Sequence, residues 1–334
     1  MRDGTVEPYD EQFDAMGCTV RVMIDPSSGD AGRDPREAGR QAREFILDFD
    51  RRLSRFRADS ELTALNRDLR EEVPASDLLR AAVRAGLRAA RSTNGLVDPT
   101  LVDQIEQAGY RESRAGLAGV PIPELLSSAP TRESASPSPG RSWRMFEVDD
   151  ERGIIRRTPG LRFDTGGTGK GLAADMVAGS LADFPRFLVN CGGDIRIGGN
   201  EASGSPYDVL VEHPASGNMP HRFKLGRGGI ATSGINVRAW LREGGSPGHH
   251  LLDPSTGEPC WSGLLGVTAI GPTAVEAETL AKAALLSGPT GARKILSHHG
   301  GLMVHEDSQV EMVGRATIRL RLPEVRLRTS EVAV

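Results

Sequence analysis

A chain of 334 residues, 38% of them hydrophobic, has material for one large domain or two intimate ones with a full core. Its formal charge of −4 and 4% aromatic content give no reason to expect nucleic acid or an acidic membrane surface as a partner. Three scattered cysteines, Cys18, Cys191 and Cys260, supply neither a zinc pattern nor a disulfide framework and fit a reducing compartment. The first residues hold no apolar leader region and no run is long enough to span a bilayer, so the expectation is a cytoplasmic protein.

Residues 13–24 (FDAMGCTVRVMI) alternate apolar and polar from Thr19 onward, the period of a half-buried strand, interrupted at its front by Met16-Gly17 as a bulge or a backbone opening toward a ligand. Residues 26–35 are loop-like in composition, and residues 1–10 read as a loose start. From 35 to 53 the apolar positions Ala42, Phe45, Ile46, Phe49 and Leu53 follow helical spacing, and Asp59-Ser60-Glu61-Leu62 opens a short second helix. An amphipathic helix is predicted over 76–92. It breaks at Thr93-Asn94-Gly95, and Pro99 then pushes Asp98 into an extended conformation. There Asp98 either projects its carboxylate from a loop or caps the next helix. Residues 127–142, rich in serine and proline, read as an exposed, mobile connection.

The second half is denser in strand signals: a hairpin over 145–157, then strands at 187–191, 195–197, 207–212, 222–225 and 264–270. Residues 229–234 bring small hydroxyl side chains to a strand end. Helices are predicted over 274–287 and 292–299, strands at 301–305 and near 311–313, and a loose tail over 323–334.

The most conspicuous stretch is 163–175, FDTGGTGKGLAAD, with four glycines in six residues around Lys170, a strand-like approach before it and a helix from Leu172 after it. Glycines let backbone amides approach a ligand, the helix start adds unpaired N–H groups, and Lys170 adds a full charge, which together describe a phosphate cradle. The pattern is neither the P-loop nor the dinucleotide fingerprint. Lysine occurs only at 170, 224, 282 and 294 in this arginine-rich chain, which draws notice to Lys170 and Lys282. At His249-His250 neighbouring strand residues point to opposite faces, so at most one looks into a site, where it can move protons near neutral pH. Glu278 and Lys282 stand one helical turn apart, either as an exposed ion pair or, on a helix this apolar, as part of a phosphate or metal environment.

Taken in order, these pieces resemble the FAD:protein FMN transferases, the ApbE flavin transferase family. The matching runs are Ala15-Met16-Gly17-Cys18-Thr19, Ser54-Arg55-Phe56 with Ser60-Glu61-Leu62 and Leu65-Asn66, and Gly95-Leu96-Val97-Asp98-Pro99-Thr100. They continue through residues 164–171 with Asp175, Asn190-Cys191-Gly192-Gly193-Asp194 and Ala231-Thr232-Ser233-Gly234. The last are His250-Leu251-Leu252-Asp253-Pro254 and Ala277-Glu278. The likeness spans about residues 11–305, within a single domain placed at 11–322. It implies an α+β fold of mixed, largely antiparallel sheets flanked by helices, with the site between two intimate halves. It also implies a magnesium-dependent enzyme, monomer or dimer, that splits the pyrophosphate of FAD, joins FMN to a Thr or Ser hydroxyl of an acceptor protein and leaves AMP.

By the same resemblance, Met16, Phe56, Leu96, Val97, Asp98, Asp164, Lys170 and Leu252 fall on FAD-contacting positions. Gly167, through its carbonyl, and Glu278 fall on magnesium-ligand positions, and His250 on that of the histidine needed for transfer. An FAD pyrophosphatase and a flavin-binding protein without turnover are the alternatives. Many relatives are exported lipoproteins, yet no lipobox precedes Cys18, which suits a cytoplasmic acceptor. Two departures matter: Glu278 stands where the family usually has Asp, and Lys282 where it has a metal-binding Thr. Gly169 and Thr168, where Ala and Ile are usual, look harmless.

Overall fold

The computed structural model describes residues 7–26, 33–117, 119–200, 205–217, 221–242, 244–314 and 331–333. Its first elements are β1 (Tyr9–Ala15) and β2 (Cys18–Ile24), paired antiparallel with Ala15 opposite Cys18. The sequence predicts one strand with a bulge here; the structure makes Met16-Gly17 a two-residue hairpin turn. Both residues have positive φ, 53° and 68°, the conformation that matches the twist of flanking strands. Glycine takes it freely, whereas at Met16 it costs roughly 1–2 kcal/mol.

Helix α1 (Pro35–Leu53) starts on Asp34, whose carboxylate accepts from Arg36 N at 2.9 Å. Ser60 caps α2 (Glu61–Arg67) and, after β3 (Glu72–Pro74), Ser76 caps α3 (Asp77–Ser92). Two short helices follow, α4 (Val102–Gln107) and α5 (Ile122–Ser127). The predicted hairpin is β4 (Glu147–Asp149) with β5 (Ile154–Arg156), and β3 joins it in a small sheet. Next come α6 (Gly169–Ser180), then β6 (Phe187–Cys191) with β7 (Asp194–Gly198), and β8 (Tyr207–Val211) with β9 (His221–Leu225). Strand β10 (Gly228–Gly234) leads to the short pair β11 (Ala239–Leu241) and β12 (Pro247–His249). The chain continues through β13 (Leu264–Gly271), α7 (Ala274–Leu286), α8 (Gly288–Leu296), β14 (Gly301–His305) and β15 (Val310–Val313).

Eight strands form the main sheet in the order β1-β2-β6-β7-β10-β13-β14-β15, every neighbouring pair antiparallel. The fold is therefore α+β, as expected. Helices α1, α6, α7 and α8 lie against the sheet, and α3 packs on α1, α6 and α7. Side-chain alternation divides the core between the two faces. Along β6, Phe187, Val189 and Cys191 join a cluster with α1, α3 and α6, while Leu188 joins a second one with Tyr207, Val209 and Phe223 of the β8–β9 hairpin, which also takes in buried residues of α7 and α8. A sheet covered on both faces needs apolar residues at consecutive positions, which is why β6 reads as a continuous apolar run.

The 127–142 segment is exposed but strapped down, where the sequence suggests mobility. Glu133 N and Ala135 N donate to the Trp261 and Leu286 carbonyls at 2.9 and 2.8 Å, and Ser136 N donates to Asp253 at 3.0 Å. Of the expected loop at 26–35, residues 27–32 lie outside the described residues and Pro35 already belongs to α1. In the tail expected to be loose, β16 (Glu331–Ala333) pairs parallel with β8; residues 323–330 and 334 lie outside the described residues. Among the described residues, no helix is long and apolar enough to cross a membrane.

Candidate active site

The glycine-rich run enters α6 earlier than its sequence suggests. The helix begins at Gly169, three residues before the predicted start, so Lys170 and Gly171 sit in its first turn. Gly171 is where α6 and α7 meet: a Cβ there would come within 2.7 Å of the Ala274–Val275 backbone. Only glycine permits that approach, and it lets Gly171 N donate to Glu278 Oε2 at 2.9 Å. One turn further on, Asp175 accepts from Ala274 N and Val275 N, both at 2.9 Å, satisfying free donors at the start of α7. Asp175 is thus a clamp that fixes the lysine-bearing helix to the glutamate-bearing one.

Two ion pairs form the floor. Lys170 Nζ lies 2.5 Å from Asp194 Oδ2 and 3.4 Å from the Gly192 carbonyl. Asp194 is placed by the tip of the β6–β7 hairpin, which Asn190 closes by accepting from Gly193 N at 2.8 Å. Burial pushes the Asp194 carboxyl up, against the pull of the Lys170 ammonium. Burial alone would lower Lys170, but Asp194 and Glu278 outweigh it and hold the ammonium above its ordinary value. Beside this pair, Lys282 Nζ lies 2.8 Å from Glu278 Oε1. The one-turn spacing does produce an ion pair, but a buried one: Glu278 is fully enclosed and the Lys282 side chain is 12% exposed. Both ammonium-bearing side chains line the same cavity, while the carboxylates stand behind them.

That cavity holds about 480 Å³, within the range of roughly 300–1,000 Å³ usual for small-molecule sites. Met16, Phe56, Leu96, Val97 and Asp98 line it. So do Asp164, Gly167, Lys170, His250 and Leu252. Of the residues that the resemblance assigns to FAD, the metal or transfer, Glu278 alone does not face it. Asp98 Oδ1 accepts from Thr100 N and Thr100 Oγ1 at 2.8 and 2.5 Å, while Oδ2 is buried without a partner. Leu101, not Asp98, occupies the N-cap of α4, so the loop reading holds. Burial raises the Asp98 carboxyl and the two Thr100 bonds oppose it. Asp164 accepts from Gly166 N at 3.1 Å and stands 3.6 Å from Arg55 Nε.

The adjacent histidines part as strand geometry requires. His249 is fully buried against the Trp261 ring, with centroids 4.8 Å apart. His250 faces the cavity, and its Nδ1 has no partner. Burial, then the positive charge of Arg238 and the neighbouring His249 and Lys282, pushes His250 well below the usual imidazole value. It is therefore neutral at pH 7, with Nδ1 open to a hydrogen-bonding partner. The Ala231-Thr232-Ser233-Gly234 run lies inside β10, where Thr232 shares a hydrogen bond of 2.8 Å with Thr268, and it does not reach the cavity.

Arg55, Tyr110 and Arg238 are among the lining residues that the sequence did not single out as site candidates. Arg55 stacks over Phe56 and Tyr110, with its guanidinium carbon 4.2 and 4.8 Å from the ring centroids, and donates to the Tyr110 carbonyl at 2.8 Å. Phe56, Tyr110 and Trp240 continue as a ladder with centroid spacings of 5.3 and 5.7 Å. Arg55 lay within a matching run and could have been picked from it. Tyr110 and Arg238 gave no local signal, because long-range folding brings them to the cavity.

Magnesium takes carboxylate oxygens at roughly 2.0–2.1 Å in a near-octahedral shell. Here Glu278 Oε2 is held by Gly171 N and Oε1 faces an ammonium at 2.8 Å. Among the described residues, no group of three or more His, Cys, Asp or Glu side chains is placed to hold a metal ion. The donor set as folded does not fit the divalent cation that the resemblance implies at Gly167 and Glu278.

A family model described as the ApbE family matches residues 16–305. The chain belongs to the ApbE family. It is 28% identical over 257 residues to the FAD:protein FMN transferase of Salmonella typhimurium, covering 74% of this chain and 70% of that one. The FAD:protein FMN transferase of Klebsiella pneumoniae is likewise 28% identical over 257 residues, with 75% and 71% covered. The crystal structure of the ApbE protein from Thermotoga maritima superposes with a TM-score of 0.74 at 25% identity, over 92% of this chain and 97% of that one. The flavin transferase ApbE from Vibrio cholerae shares the fold, with a TM-score of 0.70 at 21% identity and the same coverage.

Proposed function

We propose that this protein is an FAD:protein FMN transferase, which cleaves FAD and joins FMN through a phosphoester to a Thr or Ser hydroxyl of an acceptor protein. The observation that carries this reading is one cavity presenting two fixed ammonium groups, Lys170 and Lys282, and an unprotonated histidine, His250. A pyrophosphate diester carries two negative charges, and phosphoryl transfer depends chiefly on neutralising its oxygens and placing a nucleophile in line. The acceptor hydroxyl oxygen attacks the FMN-side phosphorus. The bond from that phosphorus to the bridging oxygen breaks, AMP leaves with the bridging oxygen, and the hydroxyl proton passes to His250 and then to water. Such base assistance is worth roughly 10²–10⁴-fold in rate. The half-exposed Phe56 ring and the free Asp98 Oδ2 offer a stacking face and an acceptor for other parts of FAD. The Glu278–Lys282 pair does not accommodate magnesium, so neutralising the pyrophosphate falls to Lys170 and Lys282.

The test is incubation with FAD and a Thr-bearing acceptor domain, with nucleotides followed by chromatography and the acceptor by intact mass. The expected result is AMP together with an acceptor heavier by one FMN. AMP with free FMN and an unmodified acceptor would make the protein a pyrophosphatase instead, and intact FAD under every condition would overturn both readings.

A further inference from the structure

We propose that Lys282 replaces a divalent cation at the pyrophosphate position, so that this chain holds FAD between two built-in ammonium groups and needs no magnesium to do so. The inference rests on reading the cavity as an FAD site. Its physical basis is the way Glu278 is used. A buried carboxylate behind a ligand cavity needs a compensating cation. This one already has its charge compensated, by the Lys282 ammonium 2.8 Å from Oε1 and by Gly171 N 2.9 Å from Oε2. Admitting a divalent ion at Oε1 would drive the ammonium away from Glu278, towards Lys170, which faces the same cavity. Like charges confined together in a partly dry space make that rearrangement unfavourable.

The charge count agrees. Lys170 and Lys282 contribute two positive charges and Asp194 and Glu278 two negative ones, so the empty floor is neutral. The negative members are turned away from the cavity and the positive members towards it. An approaching pyrophosphate therefore meets two ammonium groups first. Each ammonium has three donors. Lys282 spends one on Glu278, and Lys170 spends one on Asp194 and a longer one on Gly192, so three remain between them for phosphate oxygens. A site that relied on a bound ion would present the carboxylate instead.

The test measures FAD binding by flavin fluorescence for the intact protein and for Lys282→Thr, each stripped with EDTA and then supplied with Mg²⁺. AMP release is followed in parallel, and Mn²⁺ binding without flavin is read by electron paramagnetic resonance. The wild-type protein should bind FAD equally well in EDTA and in Mg²⁺ and should leave Mn²⁺ free. Lys282→Thr should lose about tenfold or more in EDTA, the worth of a lost charged hydrogen bond. It should recover with Mg²⁺, which would also exclude misfolding as the cause. Wild-type binding that requires Mg²⁺, wild-type capture of Mn²⁺, or Lys282→Thr binding as tightly as wild type in EDTA would each overturn the inference. Mg²⁺-independent binding lost in Lys282→Thr, but without AMP under any condition, would sink the transferase reading and leave this one standing. FAD that never binds would sink both.

Discussion

On the floor of the cavity each charged group is held by a partner on the neighbouring turn or another element, Lys170 by Asp194 and Lys282 by Glu278. Along the rim, Asp98 and His250 each keep a polar atom unpartnered, and the Phe56 ring is 38% exposed. The floor rests on two crossed helices and a hairpin tip packed against the main sheet. The rim comes from loops and strand ends. Fixed charges that need not reorganise suit the holding of a phosphate, as preorganised electrostatics requires. Free valences on the rim suit the gain of a ligand or a proton. The division of labour between a rigid floor and an adaptable rim is what mutation can break or sharpen.

The largest effect should come from the rim. His250→Ala should slow FMN transfer by roughly 10²–10⁴-fold with little change in FAD affinity, measured by steady-state AMP release and flavin fluorescence. An equal loss of affinity would make His250 a binding group and blur the contrast. On the floor, Gly171→Ala would force a Cβ against the α7 backbone. We expect a loss of about 1–3 kcal/mol in urea unfolding, the usual cost of overpacking. Unchanged stability would mean that the helices tolerate separation and that the floor is softer than described.

The neighbouring histidines sharpen the contrast within two residues. Burial pushes His249 down to about 3, and His250 is also depressed. Below pH about 6.5 the unfolded chain binds protons on both that the folded chain refuses. Stability is therefore full above that pH and lost as pH falls from there towards the folded values, by up to about 1.4 kcal/mol per unit for each histidine. Chemical denaturation between pH 7 and 5 should show this slope, and His249→Phe should remove about half of it. The smallest effect is at the aromatic edge. Phe56→Ala should weaken FAD by about 1 kcal/mol and leave unfolding within about 0.5 kcal/mol of wild type, in contrast to Gly171→Ala.

Much of the second half was legible because its signals are local. The 187–191 strand is a continuous apolar run, 301–305 is bounded by glycine and a charged turn, and the 274–286 helix is a periodic block of Ala and Leu. The first strand was half missed because it is a sheet edge bearing Asp10, Glu11 and Asp14, so its alternation is only partly apolar. The motif residues around 96–98, 164–170 and 250–252 do converge on one cavity. What no local pattern carries is partnership at a distance: that Lys170 would find Asp194, that Asp175 would cap α7, and that Tyr110 would stack between Phe56 and Trp240. Glu278 and Lys282 were close enough in sequence to be paired on paper, but their burial depends on α6 crossing above them.

The strand order carries a further consequence for how the chain is made. Strand β2 pairs on one side with β1 and on the other with β6, where Val20 lies opposite Cys191. The β1–β2 hairpin thus keeps one edge open until β6 (Phe187–Cys191) has been made. Such a delay makes folding slow, because distant pairing must wait for loop closure, and it leaves a bare strand edge available to other nascent chains. The acidic residues on β1 sit on the opposite, permanent edge and cannot shield it. Newly made copies therefore pass through a stage at which the β2 edge is bare, and covering that edge until β6 arrives is expected to raise the yield of folded protein.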